Sequence, residues 1–188
     1  MYFPDKKVIV KSRSVLKTML PLYYFIGFAI MYLSPERILT DNKYLEKICN
    51  SISYYIASIN IWSYHSPFPE ITKIYFTYCW ISIPLQTFTF IENKNYEKQF
   101  IIKWNENIKL KPLRLLILVI ITTSLVFYSA NYAILDSKPC FVCVNSSRFA
   151  QALLGGLIPF VNAGMLALMY WAIKNYKKIN GSMPSLGT

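Results

Sequence analysis

Histidine is almost absent from this sequence, since His65 is the only one among 188 residues. A single histidine excludes a haem held by two histidines, and a zinc site built on it would need cysteine or carboxylate partners at unfavourable separations. The sequence also lacks a GxxxxGK[ST] phosphate loop, a GxSxG motif and a Ser/His/Asp set. We therefore predict a protein that is not an enzyme and that holds no metal or cofactor.

Acidic residues are scarce as well, with nine Asp and Glu against twenty Lys and Arg. None of the nine lies within the long apolar runs of the chain. A proton relay or an ion pathway through a membrane usually depends on carboxylates inside the spans. The predicted spans therefore contain no carboxylate that could conduct protons or ions in the usual way.

Long uncharged runs are what the sequence does contain. Ile74 to Ile91 and Leu115 to Leu135 carry no charge, and about 20 apolar residues suffice to cross a bilayer core as a helix. Two further runs, Thr18 to Leu33 and Phe149 to Ile173, are also mostly apolar. We predict a single-domain, all-α membrane protein over residues 1–188, with transmembrane helices at about 16–33, 71–91, 113–135 and 149–173 and a flexible tail at 179–188.

The cations are sorted along the chain, whereas the acids are not. Segments 1–17, 92–114 and 174–188 hold five, six and three Lys or Arg, which is fourteen of the twenty. This is the positive-inside pattern, and it predicts that both ends and the central connector are cytoplasmic. The excess of Lys and Arg therefore reflects the topology of the protein in the membrane, and we predict no nucleic-acid partner.

The basic start followed by an apolar run also resembles a signal peptide. The junction Met31–Pro35 lacks the small residues that a cleavage site needs, and further spans follow. We therefore expect an uncleaved first transmembrane helix.

Segment 34–70 carries an apolar stripe at helical spacing, which predicts an amphipathic helix in the first outer loop with Asp41 as its N-cap. This helix either lies on the outer face of the membrane or packs against the other spans. The stripe consists of Leu45, Ile48, Ile52, Tyr55, Ile56 and Ile59.

Polar amides and small residues occur inside the predicted spans. Amides there usually join helices by hydrogen bonds, and small residues permit close backbone approach. Pro159 predicts a kink in the last span. The amides are Gln86, Asn131, Gln151 and Asn162, and the small residues include Gly155, Gly156 and Gly164.

Cys140 and Cys143 form a CxxC motif in the second outer loop, at 136–148. On an oxidising face such a pair can cycle between dithiol and disulfide, as in four-helix membrane disulfide oxidases. Those enzymes also need a second cysteine pair on the same face, and here only Cys49 is outside while Cys79 lies within a span. A small structural disulfide, or two free thiols, is the other interpretation.

The start of the second span has a recognisable pattern: Pro69, then Thr72 and Lys73, then an aromatic stretch and Pro84. This pattern resembles the immunity proteins that protect bacteria against pore-forming colicins of the A and B type. The layout is also similar, with four inner-membrane helices, cytoplasmic termini, a long first outer loop and a basic central connector.

The resemblance implies an inner-membrane protein that inhibits by binding the pore-forming domain of a toxin within the lipid bilayer. On this basis Thr72, Lys73 and Gln86, together with the outer loops, are candidate toxin-binding residues. The alternative is that Thr72 and Lys73 simply anchor the start of a helix. Two other functions stay open, namely a membrane disulfide oxidoreductase using Cys140 and Cys143, and an accessory subunit of a larger membrane complex.

Overall fold

A computed structural model describes residues 6–105, 111–131 and 147–175 of the chain, with side chains from residue 20 onward except at 103–105, 111–112 and 154. These ranges are helical and contain no strand, which confirms the predicted all-helical class for this part of the chain. The helices are α1 (Lys6–Leu33), α2 (Ile38–Asp41), α3 (Lys43–Tyr55), α4 (Ala57–Tyr64), α5 (Pro69–Ile91), α6 (Lys94–Asn105), α7 (Lys111–Asn131), α8 (Arg148–Ala150) and α9 (Leu157–Lys174), with a π-helical turn at Gln151–Gly155.

Helix α5 lies at the centre and packs against α1, α4 and α9. It begins at Pro69, whose fixed φ and missing N–H suit the first helical position, and it continues through Pro84. Aromatic side chains fill the core around it. Trp62 of α4 stacks on Phe76 with ring centroids 4.8 Å apart, and Tyr75 is buried beside them. The α5 helix is therefore enclosed by protein along much of its length.

The segment between α1 and α5 forms three short helices. The side chain of Asn42 accepts a hydrogen bond from the backbone N–H of Leu45 at 3.1 Å, so Asn42 is the N-cap of α3 and the predicted cap at Asp41 is wrong by one residue. Asp41 is the last residue of α2, and its backbone is already helical. Ile56 then has φ −123° and ψ 81°, which separates α3 from α4.

The apolar stripe of this segment is only partly buried. Ile59 and Trp62 of α4 lie in the core, whereas Ile48 and Tyr55 of α3 are exposed. Helix α4 packs against both α5 and α7. For α4, the structure therefore shows packing against the other helices, which was one of the two predicted arrangements.

Two stretches are long and apolar enough to cross a membrane by length and composition, namely Leu113–Asn131 and Arg148–Lys174, of 19 and 27 residues. These coincide with the third and fourth predicted spans. The apolar part of α1, Leu20–Leu33, is shorter, and α5 does not meet this criterion. Residues 132–135 of the third predicted span and the tail at 179–188 lie outside the described residues.

The last predicted span is not one regular helix. The irregularity is the π-helical turn at Gln151–Gly155, which precedes Pro159. Proline has no N–H, so the carbonyl of Gly155 has no donor four residues ahead and the regular α-helical pattern is interrupted there. The disturbance expected at Pro159 is therefore found in the preceding turn.

Helix α7 has inverted polarity, with polar side chains inside and apolar side chains outside. On α7, the buried side chains Thr122 and Ser129 are polar, while most of the exposed side chains are large and apolar. On α5, the buried side chains are a mixture of apolar and polar residues, while the exposed ones are apolar. The buried polar set on α5 is Thr72, Thr77, Ser82 and Thr89, and the exposed apolar set is Ile81, Leu85 and Phe88.

Candidate binding site

Thr72 lies inside the protein and is fully buried. Its Oγ1 is 2.7 Å from Ser66 Oγ and 3.0 Å from Gln151 Oε1, and Gln151 Nε2 donates to Ser66 Oγ at 3.0 Å. The three side chains therefore form a closed ring, which we call the Thr72 ring. It joins the turn before α5 to the π-helical turn before α9.

The protons of the Thr72 ring can run in one direction around it. Each hydroxyl carries one proton, so Ser66 can donate to Thr72, Thr72 to Gln151, and the Gln151 amide back to Ser66. The backbone N–H of Phe68 also donates to Ser66 Oγ, at 3.1 Å. Because every member has a partner, burying these polar groups costs little, and the ring holds the start of α5 in place.

Lys73 is half-buried, and its Nζ donates to Asn50 Oδ1 of α3 at 2.7 Å. It lies near Cys49, a buried thiol. Burial raises the pKa of Cys49, and this effect exceeds the lowering by a hydrogen bond from Thr77 and by the charge of Lys73. The thiol is therefore held in its neutral form, while Lys73 fastens α3 to α5.

Gln86 is half-buried and differs from the other two candidates in having an unused polar atom. Its Nε2 donates to Ser82 Oγ at 2.7 Å. Its Oε1 is buried and finds no donor within the described part of the chain, and the same holds for Thr87 Oγ1 beside it. An unsatisfied acceptor inside an apolar environment is costly, and a change of the half-buried Gln86 side chain to another rotamer would present this carbonyl to an incoming N–H or O–H group.

The structure does not bring the three candidates together. Thr72 and Lys73 lie in the first turn of α5, and Gln86 follows roughly 21 Å further along the same helix at about 1.5 Å per residue. Thr72 faces the interior, so only Lys73 and Gln86 have partly accessible side chains.

Polar residues in the second span, among them Ser82, Gln86 and Thr89, are expected from the sequence to face protein, but their continuation into one stripe along α5 was not recognised. Its members follow one another at alternating steps of three and four residues, which places them on one face of the helix. Gln86 is half-buried and the rest are buried. The stripe consists of Thr72, Tyr75, Cys79, Ser82, Gln86 and Thr89. The spacing is visible in the sequence, but the aromatic residues between these positions mask it.

The stripe provides hydrogen bonds to the neighbouring helices. Tyr75 Oη donates to the carbonyl of Ala152 at 2.7 Å, and Tyr23 Oη of α1 lies 3.2 Å from Cys79 Sγ. A Cβ added at Gly156 would lie 2.8 Å from Tyr75 Oη, so glycine is needed there for the close approach of the π-helical turn to α5. The stripe therefore binds α1, α5 and the last helix to one another.

Charged side chains hold the segment 34–70 in place. Glu70 Oε2 accepts hydrogen bonds from the backbone N–H groups of Leu39 at 2.7 Å and Thr40 at 3.1 Å, which caps α2 from another helix. Arg148 pairs with Glu36 at 3.2 Å and lies 4.2 Å from the centroid of the Phe68 ring. These contacts position the segment 34–70 against the helices.

Cys140 and Cys143 lie outside the described residues, so the predicted disulfide or redox pair stays a prediction. The two described cysteines, Cys49 and Cys79, are free thiols and are both buried, in different core clusters. Within the described ranges, no three His, Cys, Asp or Glu residues are grouped so as to hold a metal ion.

Comparisons with known proteins give no relative. No protein-family model matches this chain, no curated protein matches it, and no solved structure matches it.

Proposed function

We propose that this chain is a four-span protein of the bacterial inner membrane that binds and blocks the pore-forming domain of a toxin. Its amino and carboxyl ends lie in the cytoplasm. It acts by binding, without catalysis and without a cofactor.

The inverted polarity of α7, with polar side chains inside and apolar ones outside, carries the membrane part of this proposal. In water, burial of Ser129 beneath an exposed row of aliphatic side chains on α7 is unfavourable. In lipid the same arrangement is favourable, since the apolar side chains meet the acyl chains and Ser129 accepts a hydrogen bond from the Asn162 amide of α9 at 2.7 Å. Only 11% of the apolar stretch of α7 is buried within the protein, which leaves a long apolar face for the bilayer.

Burial also accounts for the lower apolar content of α5. Because α1, α4 and α9 surround it, its polar stripe faces protein rather than lipid. A helix that is shielded in this way can cross the bilayer with fewer apolar residues than α7, which faces lipid directly. We therefore include α1 and α5 among the four spans, with the basic connector and both termini on the cytoplasmic side.

Recognition of a toxin within the bilayer requires more than apolar contact, because lipid offers the same contact to every apolar helix. Gln86 supplies an unused acceptor beside the exposed side chains of Leu85 and Phe88. Lys73 supplies a charge near the outer end of α5. Thr72 contributes indirectly, because the ring that contains it holds the start of α5 and the turn before α9 together.

Survival of toxin challenge tests this proposal. The chain is expressed in a sensitive bacterium, and the cells are exposed to a panel of pore-forming colicins of the A and B type. We expect protection against at least one toxin, and no protection against any member of the panel would overturn the proposal. Gly156→Trp cannot pack against Tyr75, so we expect no protection from this variant, which controls for effects of membrane-protein expression alone.

The same assay separates the alternatives. In the variant Cys140→Ser/Cys143→Ser we expect full protection, because binding needs no redox pair. Loss of protection in this variant, with normal accumulation of the protein, would favour the disulfide oxidoreductase. Copurification with larger chains in fixed stoichiometry would favour the accessory subunit.

A further inference from the structure

Helix α3 leaves three large side chains exposed along one of its faces. Tyr44, Ile48 and Tyr55 are 86%, 51% and 79% exposed. They follow one another at steps of four and seven residues, so at about 100° per residue they lie within roughly 40° of one another around the helix. We call this surface the Tyr44 face.

The rest of α3 divides into a buried side and a charged side. Cys49 is buried against the protein, roughly 120° around the helix from the middle of the Tyr44 face. The side chains of Lys43, Glu46 and Lys47 are exposed on the third side. The helix therefore directs protein contacts, charges and an uncovered, largely apolar surface in three different directions.

The buried contacts of α3 place it beside the ends of α1 and α5 rather than beyond them. Cys49 shares a buried cluster with Ile74 of α5, and Ile30 of α1 packs against that cluster. Ile74 lies roughly 7.5 Å along α5 from Pro69, and Ile30 lies roughly 4.5 Å before the end of α1. In the proposed topology these are the outer ends of two spans. Helix α3 is therefore level with the boundary between headgroups and acyl chains, into which interfacial helices sink about 5–10 Å.

The chemistry of the Tyr44 face suits this boundary. Tyrosine combines an apolar ring with a hydroxyl that can reach the headgroups, and it is enriched at both surfaces of a membrane. Ser51 is also exposed on this side, and its hydroxyl donates to the carbonyl of Lys47 within the same helix at 2.8 Å. Because this hydroxyl already has a partner, Ser51 brings no unpaired polar group into contact with lipid.

The area of the Tyr44 face favours lipid over a protein partner. Its three side chains offer roughly 500 Å², whereas a stable protein interface buries about 800 Å² on each partner. Lipid contact has no such minimum, because the bilayer surrounds the spans on all sides.

We infer that α3 lies in the outer boundary of the bilayer, with Tyr44, Ile48 and Tyr55 among the headgroups and upper acyl chains and with its charged side in water. This inference rests on the proposed membrane location. The segment 34–70 is then held by α5 on one side and by lipid on another.

Electron paramagnetic resonance of the nitroxide-labelled full chain in phosphatidylcholine nanodiscs tests this inference. Single cysteines are introduced into a chain that carries Cys140→Ser/Cys143→Ser. The same chain without an added cysteine measures any labelling of the buried thiols of Cys49 and Cys79. Collisions of the label with oxygen, which is concentrated in lipid, are compared with collisions with nickel ethylenediaminediacetate, a polar complex that stays in water.

Ile48→Cys and Lys43→Cys form a matched pair, because both residues are exposed and lie roughly 140° apart around α3. We expect the ratio of oxygen to nickel collisions to be about tenfold higher at Ile48 than at Lys43, since a site about 5–10 Å within the bilayer gains oxygen and loses the nickel complex. Tyr44→Cys should resemble Ile48→Cys. Equal ratios at Ile48 and Lys43 would place the Tyr44 face in water, and exclusion of both reagents at Ile48 would show that protein covers it. Either result would overturn the inference.

Ile120→Cys, near the middle of α7, separates failure of this inference from failure of the proposed membrane location. Ile120 is 52% exposed, and in the bilayer its label should collide with oxygen but not with nickel. If Ile120 meets only oxygen while Ile48 meets nickel, the position of α3 is wrong and the membrane location stands. If nickel reaches Ile120 as well, the membrane location is wrong, and the inference fails with it. Neither result depends on a toxin.

Discussion

Thr72 and Gln151 meet inside the protein, with Thr72 Oγ1 3.0 Å from Gln151 Oε1, although 79 residues separate them in the sequence. Both are buried, and Ser66 closes the ring between them. This contact fastens the start of α5 to the π-helical turn before α9. It connects the segment that carries the candidate residues Thr72 and Lys73 to the glycine-containing part of the last helix.

Thr72→Val should destabilise the protein by about 1–2 kcal/mol, because the methyl group keeps the shape but leaves Ser66 and Gln151 without one partner. Thermal unfolding in detergent measures the change. Thr123→Val is the matched control, since the hydroxyl of Thr123 is exposed and bonds only to carbonyls of its own helix. If both variants unfold at the same temperature, the ring does not contribute to stability.

Gly156→Ala should lower the unfolding temperature, and Gly164→Ala should change it little. The added Cβ would lie 2.8 Å from Tyr75 Oη at Gly156 but 4.0 Å from the Phe90 ring at Gly164. Overpacking of this kind costs about 1–3 kcal/mol. Gly156 has φ −70°, so alanine fits its backbone and the comparison reports packing alone. Equal effects at the two positions would contradict the structure.

Gln86→Leu should abolish or strongly reduce toxin protection while the protein still accumulates, because leucine keeps the size but removes the unused acceptor. Lys73→Met should reduce protection less, since Lys73 already bonds to Asn50. Ser82→Ala is the control: it removes the internal partner of Gln86 and leaves Gln86 Oε1 in place. Full protection by Gln86→Leu would remove Gln86 from the recognition site.

Stability should fall at acid pH through Glu70. Desolvation raises the pKa of this carboxyl, but hydrogen bonds from Thr40 and Leu39 and the charge of Arg37 outweigh it, so the folded pKa lies below the ordinary value of 4.5. A lowered folded pKa stabilises the fold above the unfolded pKa, and this contribution disappears as the pH falls through the folded pKa.

Unfolding measured from pH 7 down to about pH 3 checks this effect. Glu70→Gln should be less stable than the unaltered chain at neutral pH and should lose less stability on acidification. Glu46→Gln, at an exposed position of α3, serves as the control. A parallel pH profile for Glu70→Gln and the unaltered chain would show that the cap on α2 carries no stabilisation.

The helical class and the main helix positions could be predicted from the sequence alone. Long uncharged runs have few other stable conformations, and Pro69 marks the start of α5 because a proline suits the first helical turn. The amide Gln151 was correctly expected to join helices, since a polar amide in an apolar run needs a partner. Charge sorting predicts the topology by a rule that depends only on the order of residues.

Contacts between distant parts of the chain decided which residues are buried and where the short helices end. The sequence shows that Thr72 is polar, but only the approach of Ser66 and Gln151 makes it an interior residue rather than a surface one. The choice of Asn42 over Asp41 as N-cap depends on where α2 ends, because Asp41 is still part of that helix. Local pattern determined which segments are helices. Packing between distant segments decided which face of each helix is buried, because hydrogen bonds and close contacts act between side chains that only the folded chain brings together.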